Sequence, residues 1–152
     1  MTDIEIRPAA PDDIPAIVEM LADDALGATR ESPDDLRPYL AAYERLRGDP
    51  NQFVMVAVRA ERVVGTFQLT VIPGLSRRGS TRSVIEGVRV HGSERGRGLG
   101  QLMVEWAVAE SRRQGCSLVQ LTSDTARPEA HRFYERLGFV GSHVGFKLTL
   151  QP

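Results

Sequence analysis

Arg95-Gly96-Arg97-Gly98-Leu99-Gly100 is the stretch on which the reading of this 152-residue chain turns. Three glycines are interleaved with two arginines and a leucine. A β-rich segment, Thr81 to Val90, precedes the run, and a helix-prone segment, Leu99 to Gln114, follows it. A glycine turn between a strand and a helix start presents unblocked backbone N–H groups where the helix dipole also favours negative charge, so the run reads as a phosphate cradle. Its glycines suit close approach, since a Cβ at Gly98 or Gly100 would hold a phosphate off the amides.

Working outward, Ile4-Glu5-Ile6-Arg7 alternates like a short strand and stops at Pro8. Pro11-Asp12-Asp13 opens an amphipathic helix with Ile14, Ile17, Val18 and Leu21 on one face and its acids at the positive end. Ser32-Pro33-Asp34-Asp35 reads as the start of a second helix, which Gly48-Asp49-Pro50 ends. Phe53–Arg59 and Val63–Ile72 form a hairpin pattern around Ala60-Glu61-Arg62. In the helix after the glycine run, Leu99, Leu102, Met103, Trp106 and Ala109 share a face, with Arg112 and Arg113 at the negative end and Gly115 beyond it. Ser117–Leu121 reads as a short strand and Pro128–Leu137 as a last helix. Val140 and Val144–Leu150 read as final strands. The order β, α, α, β, β, β, α, β, α, β, β demands one parallel pair with a right-handed crossover, and hairpins elsewhere. The expected fold class is α/β (α+β): a mixed, mostly antiparallel sheet of six to seven strands with helices on both faces.

Bulk composition fits one soluble domain spanning residues 1–152, with 41% hydrophobic and 26% charged residues. No apolar run approaches a membrane span, and the N-terminus shows no secretory signal pattern. The single cysteine, Cys116, fits a reducing compartment, so cytoplasm is expected. Net charge is −1, yet residues 1–50 hold 12 acids and 5 arginines, whereas residues 51–152 hold 8 acids and 14 basic residues. That asymmetry is compatible with an anionic ligand on the later part, while the near-neutral total argues against a nucleic-acid partner.

The cradle fits neither common nucleotide pattern. Gly-x-Gly-x-x-Gly fails because its last position falls on Gln101 or Met103, and no lysine is near for a P-loop. Arg95-x-x-Gly98-x-Gly100 between a strand and a helix resembles motif A of the GNAT superfamily of acetyl-CoA-dependent N-acetyltransferases. Ala130-His131-Arg132-Phe133-Tyr134-Glu135-Arg136-Leu137-Gly138-Phe139 is similar to that family's motif B. The resemblance covers nearly the whole chain. It implies that Arg95, Gly96, Arg97, Gly98, Leu99, Gly100 and Gln101 hold the pyrophosphate of acetyl-CoA. The backbone at Val88, Arg89 and Val90 would pair with the pantetheine arm like an added strand, the Val88 N–H meeting the thioester oxygen.

Acetyl transfer to an amine needs an acceptor for the amine's proton and a proton for the leaving thiolate. Glu86 is the only acid in its strand. Strict alternation puts Glu86, Val88 and Val90 on one face and Ile85, Gly87 and Arg89 on the other. As a partly buried carboxylate, Glu86 can take the proton directly or through water, anchor the substrate's ammonium, or simply pair with Arg82 or Arg89. Tyr134 matches the family tyrosine whose hydroxyl lies by the sulfur, which makes it the candidate general acid. The chain departs from the family at Arg127, where many members have an asparagine that contacts pantetheine. Arg127 is then free for a CoA phosphate or the substrate's border, with Ser123 or Thr122 in the asparagine's place.

His91, His131 and His143 lack metal-ligand spacing, and no metal is expected. Cys116 reads as a packing residue. The resemblance implies an enzyme transferring acetyl to a primary amine, of a small molecule or else of a protein N-terminus or lysine. A non-catalytic acyl-CoA sensor is the alternative from another class. Asp23, Asp24, Glu31, Asp34 and Asp35 lean towards a cationic small molecule, and a homodimer is compatible with all of this.

Overall fold

The computed structural model describes residues 3–151. Met1, Thr2 and Pro152 lie outside them, and with them the extreme ends of the single-domain reading and the first residues read for a secretory signal. The elements are β1 (Ile4–Pro8), α1 (Ile14–Ala22), α2 (Gly27–Arg30), α3 (Arg37–Arg47), β2 (Gln52–Arg59), β3 (Arg62–Pro73), the single turn α4 (Ser76–Gly79), β4 (Thr81–Val90), α5 (Leu99–Arg113), β5 (Cys116–Gln120) and α6 (Pro128–Arg136). None of the helices is long and apolar enough to cross a membrane.

The strands form one sheet in the order β1-β2-β3-β4-β5. The first three junctions are antiparallel and β4–β5 is parallel. That parallel pair is the junction bridged by α5, as a strand–helix–strand connection requires. Helices pack on both faces. Val18, Ile14, Ile17 and Tyr43 of α1 and α3 close over Val56 and Val58, while Leu99, Met103, Val104 and Ala107 of α5 close over Met55, Phe67, Leu69 and Ile85. The buried stripe of α5 is therefore 99, 103, 107 and 111, and Trp106 flanks it at a tilt to Phe67, ring centroids 5.7 Å apart. Gly65 permits this packing: a Cβ there would stand 2.8 Å from the sulfur of Met103.

Three expectations change. The sheet has five strands among the described residues, not six or seven, because Val140 and Val144–Leu150 form no ladder. Their alternation is strand-like, but alternation becomes a strand only where a neighbouring edge accepts the backbone. The second helix begins at Arg37 rather than at Ser32. Ser32–Asp35 makes a turn instead, with Asp35 N–H on Ser32 O at 3.1 Å, and Pro38 occupies the first helical turn, where its missing N–H has no cost.

The third change concerns β4. Gln68 pairs with Glu86 and Thr66 with Arg89, so Gly87 and Val88 together oppose Phe67. This is a β-bulge, and Gly87 accommodates it at φ +62°. The extra residue resets the alternation. Glu86 and Arg89 share the face of Thr66 and Gln68 towards α1, and Ile85 and Val90 share the face of Leu69 and Gly65 towards α5.

Candidate active site

β4 and β5 are paired only from Thr81 to Val84. Beyond that the strands part, and the β5-side edge of Ile85–Val90 is left without a strand partner. A parted parallel pair offers free backbone groups along one wall of a slot, where an extended ligand can add as a strand. Val88 and Val90 line this wall, both half-buried.

At the end of the slot the chain turns through the glycine run. Gly96 and Gly98 take φ of +76° and +84°, and nothing lies within 4 Å of where a Cβ would stand at either. Their conformation, not crowding, calls for glycine. Gly98 is the N-cap of α5 and no side chain caps it. Leu102 N–H is the first to reach back into the helix, to Gly98 O at 3.1 Å. The amides of Leu99, Gly100 and Gln101 precede it without intrahelical partners, as at any helix start of the kind that can receive an anion. A shallow depression of about 260 Å³ flanks this helix start, with Arg97, Gly98, Leu99 and Gln101 along one side and Arg59 on the other.

Gly100 differs from the expectation. Its Cβ would point not at the cradle but at α6, 3.4 Å from Cζ of Phe133 and 3.9 Å from Cγ2 of Val90. The start of α5, the end of β4 and α6 meet at this point. The two arginines are already engaged at the rim. Arg95 donates to Asp23 at 3.1 Å, and Arg97 lies 3.6 Å from Glu94, a buried carboxylate that also accepts from Arg59 at 3.2 Å.

Tyr134 sits in an aromatic group on α6, edge-on to Phe133 and Phe139 at centroid distances of 5.0 and 5.8 Å. Burial pushes its phenol above the ordinary value, and the nearby charges of Arg127 and Arg89 pull the other way. Glu86 is exposed, contrary to the partly buried carboxylate expected; it keeps its register opposite Gln68, and the bulge beyond it brings Arg89 onto its face. Among the described residues it makes no ion pair, so the inert pairing with Arg82 or Arg89 is not formed. Ser123 and Arg127 are both half-buried on the loop between β5 and α6, which Asp124 shapes by accepting from Ala126 N–H at 2.8 Å. The histidines have local roles: His91 Nδ1 accepts from Ser93 N–H, His131 bonds Asp124 O, and His143 bonds Ser142. Burial pushes the thiol of Cys116 above its ordinary value, with a hydrogen bond to Ser83 acting the other way.

The side facing α1 and α2 shows what the sequence did not anticipate. Arg89 Nε stands 3.4 Å from Asp24 Oδ2, and the same nitrogen, sealed from solvent, has no hydrogen-bond partner among the described residues. The Gly27 amide holds the Asp24 carboxyl below its usual range, with Arg89, Arg127 and Arg30 acting in the same direction. Arg89 alone is within ion-pair distance of Asp24. Of the other acids expected to draw a cationic substrate, Asp23 is paired with Arg95 and Asp35 with Arg37, Glu31 accepts from the Tyr39 hydroxyl, and Asp34 makes no ion pair among the described residues. Part of the expected pull is thus neutralised within the chain itself.

The GNAT acetyltransferase family profile matches residues 14–139. The chain belongs to the GNAT acetyltransferase family. Within the family it is 34% identical over 102 residues to the aminoalkylphosphonate N-acetyltransferase of Salmonella typhimurium, covering 67% of this chain and 66% of that one. It is 37% identical over 90 residues to the glucosamine 6-phosphate N-acetyltransferase of Trypanosoma brucei brucei, covering 59% and 58%. The chain thus spans just under two thirds of the first curated relative and less of the second. A crystal structure described as a transcriptional regulator from Bacillus halodurans C-125 superposes with a TM-score of 0.92 at 43% identity, covering 97% of this chain and 99% of that one.

In this GNAT domain the glycine turn and the end of β4 meet α6 at Gly100, Val90 and Phe133, while Ser123 and Arg127 stand on the loop between β5 and α6. The Gly87 bulge and the Arg89–Asp24 pair were missed. A glycine inside a strand pattern was the available signal for the bulge. The pair joins residues 65 positions apart and had no local signal.

Proposed function

We propose that this GNAT domain transfers an acetyl group from acetyl-CoA to the primary amine of a small molecule that also bears a phosphate- or phosphonate-type anion. The observation that carries the reading is the slot where β4 and β5 part, running between the unpartnered amides of α5 and Tyr134. The amides of Leu99, Gly100 and Gln101 receive the pyrophosphate, and the free edge at Val88 and Val90 receives the pantetheine arm. The thioester supplies the acetyl group. Glu86 faces α1 and takes the proton that leaves the amine as the amide bond forms. Tyr134, on the α6 side, gives a proton to sulfur as the C–S bond breaks, and its raised pKa keeps that proton in place at neutral pH. Donor and acceptor thus work from opposite sides of the slot, and one proton leaves nitrogen for each one delivered to sulfur.

The anion requirement rests on the arginines. Both curated relatives are named for amines that carry a phosphorus oxyanion. Arg89 here has a sealed Nε that stands 3.4 Å from Asp24 without a hydrogen bond among the described residues, and the charges of Arg127 and Arg30 also act on Asp24. Arg127 is assigned to that border rather than to a CoA phosphate, because its charge reaches both Asp24 and Tyr134. The test is turnover with acetyl-CoA, read as free thiol, across an ω-aminoalkylphosphonate, an amino-sugar phosphate, an uncharged alkylamine and a lysine peptide. The anionic amines should exceed the uncharged amine at least about tenfold in kcat/KM, the worth of one charge-assisted hydrogen bond. Equal rates, or turnover of the peptide alone, would overturn the reading.

A regulatory module that binds acyl-CoA without turnover is the second reading, favoured by the description of the Bacillus halodurans protein. It predicts CoA binding with no thiol release on any amine in the same panel.

A further inference from the structure

Glu94 closes the short 3-10 turn Gly92–Glu94 directly ahead of the glycine run. It is 5% exposed and one of two carboxylates buried among the described residues. A buried carboxylate persists only where cations and hydrogen bonds compensate it. Two arginines do so from different elements. Arg59, at the end of β2, donates through Nε to Oε1 at 3.2 Å, and Arg97, inside the run, stands with Nη1 3.6 Å from Oε2. These are the two arginines that line the depression beside the start of α5.

The two differ in what else holds them. Arg59 belongs to a paired strand and also meets Asp3, whereas Glu94 is the one ion-pair partner of Arg97 among the described residues. The backbone around Arg97 adds little support, because Gly96 and Gly98 flank it at positive φ and a Cβ on either would touch nothing within 4 Å. The turn ahead of the run, by contrast, is tied to the sheet. His91 N–H bonds Val64 O at 2.8 Å, and Glu94 N–H bonds His91 O at 2.9 Å. Glu94 therefore extends the anchorage of β2 and β3 to an arginine on a segment with no packing of its own. A guanidinium held in place before the ligand arrives loses less freedom on binding it.

We infer that Glu94 is a positioning residue for the acyl donor: it holds the Arg97 guanidinium at the start of α5, where the donor's phosphates are received, and does not touch them itself. The inference rests on the assignment of that helix start to the CoA pyrophosphate. Arg59 has a part in it, since it offsets the negative charge that Glu94 brings near the phosphates.

The test is CoA affinity by calorimetry, with steady-state kinetics on acetyl-CoA and an ω-aminoalkylphosphonate, for the unaltered chain, Glu94→Gln, Arg97→Gln and the two together. On charge alone, Glu94→Gln removes a negative group from beside a polyphosphate and should tighten binding. The inference expects the opposite sign. Kd for CoA and KM for acetyl-CoA should rise about tenfold, the lower end for a charge-assisted hydrogen bond, while kcat and KM for the amine hold. Arg97→Gln should lose at least as much, and the double variant no more than Arg97→Gln alone, because both changes act on one contact. CoA affinity unchanged or tighter in either single variant would overturn the inference, as would losses that multiply in the double one. Should Glu94→Gln fail to fold, Glu94→Met with Arg59→Met removes the buried pair as a unit, and its CoA affinity must fall by the same factor. An unaltered chain that binds no CoA would overturn the donor assignment itself, and the role of Glu94 with it.

Discussion

Arg89 reaches Asp24 from the sheet, its Nε 3.4 Å from a carboxylate oxygen, although the two residues lie on different elements and 65 positions apart. The pair stands on the α1 side of β4, with Glu86 on the same strand face. Asp24 is in turn tied to the start of α2 through the Gly27 amide at 2.5 Å. A carboxylate and a guanidinium thereby share one face of β4 beside α1.

Replacing Arg89 with glutamine should raise KM for a phosphonate-bearing amine about 10- to 100-fold, the loss of one charge-assisted hydrogen bond. KM for acetyl-CoA should stay unchanged, because the guanidinium faces the acceptor side. Steady-state kinetics with both substrates varied would show it. Equal losses for both substrates would remove Arg89 from acceptor recognition.

Tyr134→Phe should lower kcat by about 100-fold or more, the usual worth of a positioned general acid. Acetyl-CoA affinity, measured by calorimetry, should barely move, since the ring still packs on Phe133 and Phe139. An unchanged rate would assign the sulfur's proton to another source.

Gly98→Val should abolish CoA binding while the domain stays folded. A β-branched residue at φ +84° is strained by about 1–2 kcal/mol, which a domain of this size survives but an aligned set of amides does not. Calorimetric titration of CoA, with circular dichroism as the folding control, is the measurement. Normal binding would relocate the cradle.

Stability should depend on pH through Arg7 and Asp13. The guanidinium donates to both carboxylate oxygens at 2.7 and 3.1 Å, and the Ala10 amide adds a third bond at 2.7 Å. The Arg7 hydrogen bonds come first among the causes that hold the Asp13 carboxyl below its usual range. Its folded pKa is depressed, so the stabilisation is complete above the unfolded value of about 4 and is lost as pH falls through the folded one. Asp13→Asn should therefore cost about 1–3 kcal/mol at pH 7. Urea midpoints of the two proteins should converge as the pH is lowered, and a gap independent of pH would refute the assignment.

The elements that carry their own signals were legible in the sequence. β4 runs from Thr81 to Val90 as its β-rich composition implies, and α5 begins at Leu99 behind a glycine cap. The glycine run and the Phe133-Tyr134 step lay far apart in sequence, yet Gly100 and Phe133 come within contact distance. What escaped depended on partners or on one inserted residue. Strict alternation could not place Glu86 beside Arg89, because it carries no term for a bulge at Gly87. The tail from Val144 to Leu150 has the pattern of a strand, but no edge among the described residues accepts it.

The parting of β4 from β5 sets different evolutionary clocks on the two substrates. One wall of the slot and the glycine turn at its end consist of main-chain groups, which every side-chain replacement leaves in place so long as the glycines remain. The acceptor side is made of side chains on β4, α1 and the turn before α2, each free to drift. Such a domain can keep one acyl donor indefinitely while its acceptor changes by single substitutions, in keeping with a phosphonate and a sugar phosphate appearing in the names of its two curated relatives.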